Sequence, residues 1–261
     1  MAVDHGLSVS GLTVRYGGNV AVSDVDVDAP VGRITGLIGP NGAGKTTTFN
    51  ACSGLLRPTA GTITFAGRDV TGWPPARRAQ LGMGRTFQRM ELFDSLSVRE
   101  NIALGREAGY AASRPLAHLR ARRVELRQSA EAVASALAGC AIEHLADRPV
   151  ADLSTGQRRL VELARAIASR SSLLLLDEPS SGLDHAETRH FGDILLRLVG
   201  ERGVGILIVE HDMELVMRIC DHVYVLDFGH LIFSGPTAEV AASEVVRQAY
   251  LGGALEGEGA A

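Results

Sequence analysis

Hydrophobic positions change rhythm along the chain, and each rhythm predicts its own kind of element. Over residues 7–15 and 20–28 apolar and polar residues largely alternate, the two-residue period of half-buried strands. In the second run Val20 and Val22 share one parity, while Val25 and Val27 take the other. The pleat must therefore slip near Ser23 and Asp24, through a bulge or a break. Residues 61–67 form a third strand with Ile63 and Phe65 on one face. Among these lies a different pattern: a short apolar stretch at 33–38 that reads as a buried strand, then a helix over 46–53 that Gly54 stops.

Residues 89–150 lack the β-branched clusters of the earlier chain and read mostly as helix. From 157 strand and helix alternate again. Leu160, Val161, Leu163, Ala164, Ile167 and Ala168 recur at helical spacing over 157–169, and 173–176 is an unbroken leucine strand. A helix over 186–199 runs through Phe191, Ile194, Leu195 and Leu198, and a strand occupies 205–209. Asp212 caps a helix reaching Ile219, and a strand at 223–226 turns at Gly229 into 231–233. The order predicts an α/β fold: a mainly parallel sheet, an N-terminal antiparallel β subdomain and an inserted α-helical subdomain. Residues 253–261 read as a flexible tail, and no internal repeat is present.

Composition narrows the setting. A hydrophobic share of 46% supplies ample core, and a net charge of −4 disfavours a nucleic-acid coat. Cys52, Cys140 and Cys220 are scattered without metal spacing, which suits reduced thiols in a cytoplasmic protein. The first residues lack a secretory layout, and no apolar run approaches the ~18–20 residues that span a bilayer. Work at a membrane would need a partner to supply the membrane part. Arg114, Arg120, Arg122, Arg123 and Arg127 form a basic stripe, open to reading as a solvated helix face or as a contact for anionic headgroups or an acidic partner.

Of the 26 cationic residues 25 are arginine, and the single lysine is Lys45. It stands in Gly39-Pro-Asn-Gly-Ala-Gly-Lys-Thr46, which fits G-x-x-x-x-G-K-[ST] between the 33–38 strand and the 46–53 helix. Gly39, Gly42 and Gly44 let successive backbone N–H groups turn inward around phosphates, and the helix adds its positive end. Lys45 reaches the β- and γ-oxygens as a compact ammonium, and Thr46 offers a hydroxyl to Mg²⁺. The site is therefore expected to bind a nucleoside triphosphate with Mg²⁺. The 173–176 strand ends in Asp177 and Glu178, at the edge where open α/β sheets hold ligands. Asp177 is expected in the metal shell and Glu178 beside the attacking water. Ser154 and Gln157 match an S-x-x-Q capping box opening the 157–169 helix.

With these three pieces in order, the sequence resembles the ATP-binding subunits of ABC transporters over residues 7–252, with a helical subdomain at 89–157. The signature of that family, LSGGQ, reads Leu153-Ser-Thr-Gly-Gln157 here, with Thr155 in place of a glycine. The resemblance implies that Ser154, Gly156 and Gln157 bind the γ-phosphate of ATP held by a second subunit. It also implies an adenine-stacking role for Tyr16, a Q-loop role for Gln88, a D-loop role for Asp184 and a γ-phosphate-sensing role for His211. Asn41 and Thr47 join the phosphate-binding set. Residues 85–101, 210–217 and 249–252 look like the branched-chain (hydrophobic) amino acid uptake branch, while the lipopolysaccharide-export ATPases share much of this wording.

The same resemblance implies an ATPase that dimerises on ATP, with itself or a paralogue, and drives a membrane permease. It would sit at the inner face of the membrane, and a periplasmic or extracellular substrate-binding protein would be an indirect partner. Met90, Leu92 and Phe93 are candidates to receive a permease helix, or else belong to the helical core. A soluble ABC ATPase acting on nucleic acid or the ribosome usually carries a coiled coil, zinc cysteines or two nucleotide domains, and no nucleic-acid partner is expected. A non-hydrolysing ATP clamp sits badly with Glu178 and His211.

Overall fold

Two sheets enclose the helix that comes after the glycine-rich loop. The structure, a computed structural model, describes residues 6–86, 92–111, 122–169, 171–240 and 242–256. The smaller sheet is antiparallel and built from β1 (Leu7–Tyr16), β2 (Asn19–Ala29), β4 (Ala60–Phe65) and β5 (Arg68–Asp69), in the order β2-β1-β4-β5. The parity slip in the second strand is a real bulge. Leu12 pairs with Val25 but Val14 pairs with Val22, and Asp24 takes a left-handed φ of 53° to absorb the extra residue. Val22, Val25 and Val27 thereby all reach the core.

The larger sheet runs β10-β9-β3-β8-β7-β6. Its strands are β3 (Ile34–Ile38), β6 (Met83–Arg85), β7 (Leu173–Asp177), β8 (Gly205–Val209), β9 (His222–Asp227) and β10 (His230–Gly235). All pair in parallel except β10, which returns beside β9. The leucine run serves both faces. Leu173 and Leu175 join the core shared with the smaller sheet, while Leu174 and Leu176 join the core beneath the other helices. This is why a strand with no polar alternation is stable here: it is buried on both sides.

Helix α1 (Lys45–Ser53) lies between the sheets, with Phe49, Ala51 and Cys52 buried. Its far end is closed by an unusual device. Arg78, in α2 (Pro75–Gln80), is only 1% exposed, and it donates to the carbonyls of Ala51 (2.8 Å), Cys52 (2.6 Å), Trp73 (3.1 Å) and Thr71 (3.2 Å). The cation thus meets the negative end of the loop's own helix, whose last carbonyls have no intrahelical partner. Arg78→Leu is expected to lower stability by about 3 kcal/mol, because several buried carbonyls lose their donor at once. A denaturant midpoint unchanged from the parent's would refute this.

Between β6 and β7 the described chain is helical: α3 (Val98–Ala111), α4 (Arg122–Gly139) and α5 (Thr155–Ala168), with single 3-10 turns at Glu143–Leu145 and Val150–Asp152. Helix α5 packs against both α3 and α4. After β7 come α6 (His185–Arg202), α7 (Met213–Ile219), α8 (Thr237–Val240) and α9 (Glu244–Glu256). The last runs into the segment whose sequence reads as a tail. Val246 is buried and Tyr250 packs on the core, and the helix they anchor continues through Gly252 and Gly253 to Glu256. Strands β5 and β6 and helix α2 were not legible from the hydrophobic pattern. No helix among the described residues is long and apolar enough to cross a membrane.

Candidate nucleotide site

The C-terminal ends of β3, β7 and β8 converge, and the candidate residues stand on them. After β3 the loop turns through three glycines with positive φ, at 147° for Gly39, 82° for Gly42 and 97° for Gly44. At Gly39 the need is also spatial, because a Cβ there would lie 2.1 Å from the carbonyl oxygen of Leu226. Gly44 precedes α1 as its N-cap. The β9–β10 turn braces this loop, the N–H of Gly229 donating to the Ala43 carbonyl at 3.1 Å.

Lys45 is 7% exposed, and its Nζ donates to the carbonyls of Gly39 (2.7 Å) and Pro40 (2.9 Å). Burial lowers its pKa, with the carboxylates of Glu178 and Asp177 pulling the other way. A buried ammonium held by loop carbonyls is ready to exchange them for phosphate oxygens. Thr46 and Asn41 are exposed and Thr47 half-buried at the same opening.

Asp177 ends β7 at 2% exposure. Burial raises its pKa, the Arg85 guanidinium 3.9 Å away and Lys45 oppose that rise, and Glu178 adds to it. Glu178 comes next, in the left-handed region at φ 46°, with its N–H held by the Val209 carbonyl of β8 at 2.9 Å. Such a conformation costs a non-glycine residue about 1 kcal/mol or more and is characteristic of functional turns. The donor set suits Mg²⁺. Thr46 and Asp177 offer hard oxygens, and no group of three or more His, Cys, Asp or Glu among the described residues forms an all-protein cage. An ion that shares its shell with phosphates needs few protein ligands.

His211 lies just beyond β8 and is exposed, with Nδ1 3.9 Å from Glu210 Oε2. Glu210, beside it, makes contacts that the sequence pattern does not show. It is fully buried, and its carboxylate accepts from the N–H of Ser180 (2.9 Å) and of His211 (3.2 Å). It therefore ties the loop after Glu178 to the turn carrying His211. Burial raises its pKa against these hydrogen bonds. The same holds of Arg85. It donates to Ser53 Oγ (2.5 Å) and Asn50 Oδ1 (3.0 Å) on α1 while facing Asp177. A lone Glu beside a His, or an Arg before Thr-Phe-Gln, carries no sequence signal of such contacts.

Tyr16 ends β1 with 53% exposure, open to a stacking partner. Gln88 and Met90 lie outside the described residues, as do Arg114 and Arg120. Leu92 packs partly on the core and Phe93 is 54% exposed, in a turn that Asn101 holds by donating to the carbonyls of Phe93 and Ser97, each at 3.0 Å.

Ser154, Gly156 and Gln157 stand at a second location. Ser154 and Gln157 form the capping box that their spacing predicts, opening α5 with Ser154 exposed, Gln157 half-buried and Gly156 buried. Their contacts run to the 181–187 segment, where Arg159 donates to the Ser181 carbonyl at 3.4 Å. Asp184 caps α6 by accepting from the N–H of Ala186 and Glu187, both at 2.8 Å. The Asp184-x-x-Glu187 spacing is itself a readable capping signal. One chain thus carries a phosphate cradle with its acids, and separately a helix N-terminus suited to an anion.

Fold and site together define a P-loop ATPase. The chain belongs to the ABC transporter family as an ATP-binding subunit, since the family model described as ABC transporter matches residues 22–181. A similar relative is the high-affinity branched-chain amino acid transport ATP-binding protein BraF of Pseudomonas aeruginosa. It is 37% identical over 248 residues, covering 94% of this chain and 97% of BraF. The lipopolysaccharide export system ATP-binding protein LptB of Acidithiobacillus ferridurans is 36% identical, with coverage of 94% and 96%. Among solved structures, the ADP conformation of MJ1267, an ATP-binding cassette of an ABC transporter, superposes with a TM-score of 0.82. It is 28% identical, with coverage of 95% of this chain and 98% of that one.

Proposed function

We propose that this subunit powers import of branched-chain or other hydrophobic amino acids through a separate membrane permease, by hydrolysing ATP between two ATP-binding subunits. The observation that carries the two-subunit part is that the chain holds two helix N-termini suited to the same phosphate, one opening α1 at Lys45 and one opening α5 against the 181–187 segment. Residues 7–252 act as one ATP-binding domain, with 89–157 as its helical subdomain. Lys45 and the N–H groups of 39–47, including those of Asn41, Gly42, Gly44 and Thr47, hold the phosphates, and Tyr16 stacks on the adenine. Thr46, Asp177 and Gln88 hold Mg²⁺, which when bound neutralises charge developing on the transferred phosphoryl group.

Glu178 orients and deprotonates the attacking water, and His211 contacts the γ-phosphate. Ser154, Gly156 and Gln157 of the second subunit close over that phosphate, with Asp184 at the junction. Little covalent chemistry is asked of the protein; positioning and charge suffice. The second subunit is another copy or a paralogue, and the assembly lies at the inner face of the membrane, served by an external substrate-binding protein.

Identity to BraF supports the substrate class, and the likeness to LptB supports a second reading, lipopolysaccharide-type export. The test is ATP turnover by the subunit assembled with its permease in vesicles. Stimulation by Leu, Ile or Val with a matching binding protein is expected. Stimulation by lipopolysaccharide instead would transfer the assignment to export, and no response to either would sink both.

A further inference from the structure

One side chain belongs to both the 154–157 turn and the 181–187 segment. Glu187 is the third residue of α6, where its Oε2 accepts from the N–H of Asp184 at 3.2 Å. The same carboxylate lies against Gly156, where an added Cβ would come within 2.4 Å of Oε1 and 2.7 Å of Cδ. Gly156 is the second residue of α5, in the turn whose N–H groups have no intrahelical partner. A negative group therefore already stands beside the helix end that carries partial positive charge. The surrounding contacts are close as well: a Cβ on Gly182 would lie 3.4 Å from the Thr155 methyl.

We propose that Glu187 is a positioning residue acting as a placeholder anion. It satisfies the field at the start of α5 while the dimer is open, and it opposes the γ-phosphate that a second subunit brings there, so it favours reopening. This rests on the reading that the 154–157 turn meets ATP held by a second subunit. Because the same carboxylate holds the Asp184 N–H, a phosphate that displaces it also loosens the cap of α6. Arrival of ATP at the turn is thereby felt in the 181–187 segment of the same subunit. Gly156 is what leaves the carboxylate room: a side chain there would push it aside.

The test uses Glu187→Gln, which keeps an oxygen for the Asp184 N–H and removes the charge. It is introduced beside Glu178→Gln, so that ATP is bound without turnover, and the ATP-dependent dimerisation constant is measured by sedimentation at low and high salt. The expected result is a dimer about tenfold tighter at low salt, the order given by one charge several ångströms away at an intermediate effective dielectric. The gain should shrink as salt screens it. The nucleotide-free monomer should melt lower, having lost its placeholder. A purely structural role moves both quantities downward, so an ATP dimer that is no tighter overturns the proposal. Should Glu178→Gln alone form no ATP dimer, the two-subunit reading falls instead. In that case an unchanged low-salt melting point for Glu187→Gln overturns the placeholder role on its own.

Discussion

Glu178→Gln is expected to lower ATP turnover by about 10²–10⁴-fold, the usual contribution of a positioned general base, while ATP still binds and holds two subunits together. The separation of effects comes from where the residue stands. Glu178 is half-buried, fixed by its N–H to the Val209 carbonyl, and turned into the left-handed region so that its side chain leaves the strand axis. Glutamine has nearly the same shape, so the turn and the Ser180–Glu210 hydrogen bond behind it persist. The loss is the ability to take a proton from water. Phosphate binding rests on Lys45 and the loop amides, which the substitution leaves in place. Lys45 loses one of two supporting carboxylates, but Asp177 remains. Single-turnover hydrolysis and sedimentation with ATP check both halves. Turnover equal to the parent's would remove Glu178 from the chemistry, and loss of ATP binding would show that it serves the fold.

The parts of this molecule legible in its sequence are those whose physics is local. The glycine loop shows because positive φ and close approach leave no alternative residue, as Gly39 against Leu226 demonstrates. The bulge at Asp24 shows because a one-residue slip exchanges the two faces of a strand. Strand β6 does not show: it has three residues, and its membership comes from pairing with β7, ninety positions away in the chain. Arg78 reads as one of two arginines on a short helix, and only the fold brings it under α1. Glu210, Arg85 and Glu187 are alike in this respect. Each is an ordinary charged residue made important by partners distant in sequence. Long-range partners of charged groups leave no periodicity to read.

Lys45→Met is expected to weaken ATP binding by about 10²–10³-fold, as removal of two charge-assisted hydrogen bonds would do. Stability should change little. Burial lowers the Lys45 pKa below its ordinary 10.5, so the folded chain binds that proton less well than the unfolded chain does. The resulting destabilisation is fully present below the lowered value and is relieved as pH rises toward 10.5. An apolar side chain of similar length removes this cost but leaves the Gly39 and Pro40 carbonyls without their donor, so the two effects offset, the nucleotide-free variant should melt close to the parent, and loss of binding cannot be assigned to unfolding. Lys45→Arg sharpens the point. It keeps the charge, and arginine is the cation this chain uses at its 25 other basic positions. Yet the space is bounded by the carbonyls of Gly39 and Pro40 at 2.7 and 2.9 Å from Nζ, and a planar fork cannot enter it as a compact ammonium does. Arginine should therefore lose nearly as much affinity as methionine, by calorimetric titration with ATP. An arginine variant that binds and turns over ATP like the parent would reduce Lys45 to a generic positive charge.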